Sequence, residues 1–136
     1  WQTATTPLAW VPFTPSISLF FNVDPPGAVV SAYYRGAGTV GSLMEVRVTL
    51  DLTTLSPFSR WAVSTSLPVG VISVPTDGRT IGYCTVDGGV FTPRVYGWVS
   101  DYIFDNTVVY MGIEEQNDLA LFGLWVCRYA YVVAAP

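Results

Sequence analysis

Five positions of one parity, Tyr96, Trp98, Ser100, Tyr102 and Phe104, carry four aromatic rings between them. Alternate residues of an extended strand share a face, so these rings could form a platform that stacks on sugar rings. Tyr96, Trp98 and Tyr102 are therefore the candidate ligand-binding residues. The competing expectation is packing, because aromatic rings carry the largest apolar payload and usually lie in a core or a subunit contact. Trp125, Tyr129 and Tyr131 repeat the pattern on a later stretch, where packing is favoured more strongly.

Acid and base chemistry has little to work with. The chain holds no histidine, which removes the His-based triad, the imidazole base and the ordinary zinc site. Asp101 with Asp105, or Glu114 with Glu115, could in principle serve as the acid and nucleophile of a glycosidase. All four lie in or beside expected turns, where acids commonly solvate or cap the backbone. No catalytic residue is assigned, and the reading is of a non-enzymatic protein. Asp87-Gly88-Gly89 lacks the spaced oxygen ligands of a calcium loop, so no metal and no cofactor are expected. Arg35 and Arg47 are expected to pair with acids on neighbouring strands. Cys84 and Cys127, 43 residues apart, have no metal-ligand spacing; they read as two small buried residues, with a disulfide as the alternative.

The elements that would carry these residues read as strands. Ser42 to Leu52 is the plainest: Met44, Val46, Val48, Leu50 and Leu52 alternate with Glu45, Arg47, Thr49 and Asp51, the period of a half-buried strand. A slip of one residue would bury three charges, so this strand sets a register. Its polar face is expected toward solvent or a polar rim. Further strands are expected over Ile17 to Val23, Ala28 to Arg35, Arg60 to Leu67, Val69 to Val74, Thr80 to Val86, Val95 to Phe104, Val108 to Ile113 and Leu119 to Val133. Turn chemistry separates them: Asp24-Pro25-Pro26-Gly27, Gly36-Ala37-Gly38, the loop from Thr53 to Ser59, Thr76-Asp77-Gly78-Arg79, Asp87-Gly88-Gly89, Asp105-Asn106 and Glu114 to Asp118. Prolines at 7, 12 and 15 make residues 1–15 an extended arm or edge. The pattern predicts an all-β fold, an antiparallel jelly-roll-like β-sandwich of about eight strands, with residues 1–136 as one domain.

Composition bounds the partners. Of 136 residues, 51% are hydrophobic and 12% charged, about half the usual charged share. Apolar surface in excess of a monomer core points to a homo-oligomer. Six arginines, no lysine and a net charge of −4 argue against a nucleic-acid partner. The longest apolar stretch, Leu119 to Ala135, is too short for a spanning helix and carries Arg128 near its middle, so no membrane association is expected. No signal peptide is visible. An opening on Trp1 is what a processed product or the terminal domain of a longer chain would show.

Tyr33-Tyr34-Arg35-Gly36-Ala37-Gly38-Thr39-Val40, the alternating strand after it and Ser66-Leu67-Pro68-Val69 follow one another much as in a known family. Together with Trp1, Thr6-Pro7 and Trp10, they resemble the C-terminal β-domain of bacteriophage minor tail and tail-fibre proteins. The likeness covers residues 1 to about 70; Ala37 stands where that pattern has its glycine. The resemblance implies a trimeric jelly-roll-like β-sandwich exposed on the virion, assembled in the host cytoplasm. Its partners would be its own copies, other virion proteins and a host cell-surface glycan, and its role tail attachment and host-surface binding. The alternatives are a capsid decoration protein and a carbohydrate-binding module.

Overall fold

The computed structural model describes residues 8–19, 29–51, 62–72, 79–87, 95–102, 105–113 and 124–135. The expected turns at Asp24 to Gly27 and Glu114 to Asp118, the loop from Thr53 to Ser59, Gly88-Gly89 and Phe104 lie outside these residues. The described chain is all β, with strands β1 (Val11–Pro12), β2 (Ile17–Leu19), β3 (Val29–Arg35), β4 (Leu43–Asp51), β5 (Ala62–Ser66), β6 (Thr80–Asp87), β7 (Val95–Tyr102), β8 (Asp105–Ile113) and β9 (Leu124–Val132). Among these residues no helix is long and apolar enough to cross a membrane.

All nine strands join one antiparallel sheet in the order β1-β3-β4-β9-β6-β7-β8-β5-β2. Strands β6, β7 and β8 run as consecutive neighbours and β9 returns beside β6, which is a Greek key. The sheet is curled, and the chain itself shows why. Strands β1 and β2 are four residues apart in sequence yet occupy opposite edges. Five Cα steps from Pro12 to Ile17 span at most roughly 18 Å, so the two edges approach one another. That link is tied to both: the Phe13 N–H donates to the Ala32 carbonyl, and the Ser66 N–H donates to the Ser16 carbonyl, each at 3.0 Å.

Curling gives the sheet an inner face, and alternation fills it. Met44, Val46, Val48 and Leu50 of β4 are buried, as are Trp125, Cys127, Tyr129 and Tyr131 of β9. Val99, Val109, Met111, Val63 and Ile17 extend the core from other strands, with Ala32 and Cys84. Each Val, Leu, Ile or Met side chain among them contributes about 1.5–3 kcal/mol by leaving water. The alternating strand runs opposite β9 for its whole length, Leu43 against Val132 through Asp51 against Leu124. Cys84 and Cys127 are direct partners across β6 and β9, fully buried and joined by a disulfide. By the loop-closure estimate, a bond closing 43 residues adds about 4 kcal/mol.

Two expectations are corrected here. Val69 to Val74 is not a strand where described: Pro68 to Gly70 bends, and Val71 makes a single bridge to Ala134. The segment instead crosses one end of the curled sheet, with Leu67 N–H donating to the Thr107 carbonyl and Ile72 N–H to the Asn106 carbonyl. The Tyr131 hydroxyl holds it from inside by donating to the Val69 carbonyl at 2.5 Å. The second correction is at Asp105-Asn106, which opens β8 instead of forming a turn.

Candidate functional site

Parity on β7 is resolved in favour of the less apolar set. Val99 and Asp101 take the inner face, both at most 2% exposed. Trp98 and Tyr102 are half-buried on the outer face, so the expectation that this row packs in the core does not hold for them. Tyr96 lies opposite Thr85 in the register of β6 and β7. Tyr110 of β8 joins the row, stacked on Tyr102 at 5.5 Å between ring centroids and 5.7 Å from the Trp98 ring. Strand register explains the spacing: Trp98 faces Gly112, and Ser100 faces Tyr110. At Gly112 a Cβ would stand 2.5 Å from the Trp98 ring, so the indole lies directly over a position with no side chain. Tyr110 was missed in the sequence because its partner row sits on another strand. Trp125, Tyr129 and Tyr131 are core residues, as expected.

The carboxylates do not form a catalytic pair among the described residues. Asp101 is buried on the inner face, with neither carboxylate oxygen hydrogen-bonded. Asp105 is exposed and accepts from the Thr107 N–H at 2.9 Å and from its hydroxyl at 2.5 Å. Those two bonds hold its carboxyl below the usual range. One acid is internal and the other caps the start of β8. The expectation that Asp101 is a solvated turn acid is therefore overturned. Glu114 and Glu115 lie outside the described residues. No cluster of histidine, cysteine, aspartate or glutamate able to hold a metal occurs among the described residues.

The arginines divide. Arg35 pairs with Glu45 across β3 and β4 at 2.9 Å, as expected. Among the described residues Arg47 pairs with no acid: its cross-strand partners are Tyr33 on β3 and Arg128 on β9. Its guanidinium lies 4.3 Å from the centre of the Trp10 ring, and that of Arg35 lies 4.5 Å from the same ring. Trp10, from the segment ahead of β1, thus holds two of the six arginines by cation–π attraction.

Compared with known protein families, curated proteins and solved structures, the chain matches none.

Proposed function

We propose that this chain is a non-enzymatic bacteriophage virion module, a homotrimeric jelly-roll-like β-sandwich that serves tail attachment by binding a host-surface glycan. The observation that carries the binding role is the outward aromatic row of Trp98, Tyr102 and Tyr110. Rings on the outer face of a rigid sheet offer a stacking platform that buried rings do not. The strand order favours the jelly roll, because the pairs β6·β7, β5·β8 and β4·β9 are nested. Such nesting arises when one long hairpin is rolled up, as in a jelly roll. The virion setting rests on the resemblance of residues 1 to about 70 to phage tail domains. Exposed apolar partners favour self-association: Leu43 and Val132 face each other across β4 and β9 while 57% and 52% exposed. A carbohydrate-binding module is the second reading, supported by the same row.

Two measurements test this together. Light scattering at micromolar concentration should give three times the 14.8 kDa chain mass; a stable monomer would leave only the carbohydrate-binding module. On an array of oligosaccharides, Trp98→Ala should weaken the binding of the parent protein while keeping its cooperative unfolding transition. A parent protein that binds nothing on the array would sink both readings.

A further inference from the structure

Arg47 and Arg128 are directly opposite each other on neighbouring strands. Like charges so placed work against the sheet, and in a chain with six arginines and a net charge of −4 their meeting is not forced by composition. Neither has an ion pair among the described residues, and both are exposed. Glu45, on the wall of the same pocket, is already engaged by Arg35. The pair lines a pocket of about 320 Å³ with Trp10, Glu45, Tyr83 and Ala130 among its other walls. That volume suits one small ligand or sugar ring, near the lower end of ligand pockets at roughly 300 Å³.

Register extends the pocket into a belt. Tyr33 faces Arg47, Arg47 faces Arg128, Arg128 faces Tyr83, and Tyr83 faces Trp98. These residues cross β3, β4, β9, β6 and β7 in one transverse line, with Tyr33 40% and Tyr83 55% exposed. At about 4.8 Å per strand the line is roughly 19 Å long. Beside Tyr83 the two strands approach closely: a Cβ at Gly82 would strike the Arg128 carbonyl and the Tyr129 Cα. The geometry points to an acidic oligosaccharide as the ligand of this belt, its carboxylate or sulfate between Arg47 and Arg128 and its neighbouring rings on Tyr83 and Trp98. Two guanidiniums supply the charge-assisted donors that such a group requires, and the flanking rings supply the stacking. This deepens the attachment reading and rests on it for the choice of a saccharide.

The test is a titration followed by NMR, using galacturonic acid, its trisaccharide, galactose and sodium sulfate. Galacturonic acid should saturate signals of Arg47 and Arg128 and bind at least about tenfold more tightly than galactose. The trisaccharide should bind about tenfold more tightly again. Arg128→Gln should weaken both acidic ligands by about tenfold and raise the unfolding midpoint, since it removes a like-charge contact. Trp98→Ala should keep the monosaccharide affinity and lose the gain from the trisaccharide, which separates failure of the aromatic platform from failure of the arginine pair. Equal affinity for galactose and galacturonic acid would overturn the proposal, as would no saturable binding. Sulfate binding as tight as the sugar acid, with no gain from the trisaccharide, would also overturn it in favour of a simple anion site.

Discussion

Asp101 shows how far a single residue can depart from the tendency of its type. Its backbone fits: the N–H donates to the Arg79 carbonyl at 3.1 Å, and the residue stands opposite Val109 in the ladder. The side chain does not, since a carboxylate 2% exposed has no hydrogen-bond donor on either oxygen. It borders a cavity of about 400 Å³ otherwise walled by Ile72, Ile81, Tyr131 and Val132, with Arg79 and Ala134. Burying such a group without partners costs more than burying an apolar one of similar size. Asp101→Val should therefore stabilise the fold by about 1–3 kcal/mol, read as a higher urea midpoint at unchanged slope. A loss of stability would mean that the carboxylate has a partner in the folded protein. Nothing in the sequence marks this position, because an acid beside an expected turn is ordinarily solvated. The row beside it was legible only by halves: Trp98 and Tyr102 share a face, but when both parities contain apolar residues, alternation does not say which face is inner.

The alternating strand was legible almost to the residue, Ser42 to Leu52 against Leu43–Asp51, because its two faces differ sharply in polarity. Val69 to Val74 misled for the opposite reason: a short apolar run is equally consistent with a strand and with a crossing segment that buries its side chains. What fixes that segment is a contact over 62 residues, the Tyr131 hydroxyl on Val69. Burial pushes the Tyr131 phenol up to about 12, with the Val69 bond opposing and Tyr34 adding to the rise. Burial and the Tyr131 neighbour drive Tyr129 upward as well. Both folded-state values exceed the ordinary value of about 10 that an unfolded chain would show. The neutral phenols therefore contribute stability in full below about pH 10, and this is lost as pH rises from there through about 12. Urea midpoints measured between pH 9 and 11.5 should fall steadily, and Tyr131→Phe should flatten that fall while costing about 1 kcal/mol at neutral pH. A midpoint independent of pH over that range would show that the phenols are not held neutral by the fold.

At the scale of the whole molecule the decisive feature is the one least visible in sequence, the bridging of the two edges of a curled nine-stranded sheet by one short segment. Local patterns show that residues 8–19 are extended and rich in proline, but pairing partners 20 to 50 residues away leave no local trace. Val11 and Pro12 cover Tyr34 and Tyr33 of β3, while Ile17 to Leu19 cover Thr65 to Val63 of β5. Phe13 stacks edge-on against Tyr34 at 5.7 Å, and Ile17 enters the core. One short segment thus shields both ends of the sheet, and Pro12 removes a donor from the edge strand itself. Without it, β3 and β5 would each present an unpaired ladder edge, the arrangement most prone to pairing with other chains. A chain lacking residues 1–19 should accordingly form species of growing mass in light scattering at concentrations where the full chain is monodisperse. Its unfolding should also begin at lower urea, since Phe13 and Ile17 no longer fill their places. If the shortened chain keeps the mass and midpoint of the full one, the edges are protected by something other than this segment. The belt of Tyr33, Arg47, Arg128, Tyr83 and Trp98 would lose its Trp10 wall in the same variant, so weaker binding of acidic sugar should accompany the change in mass. Bridging the two edges of the sheet and supplying the Trp10 wall of the pocket are in this sense one task, performed by residues 8–19.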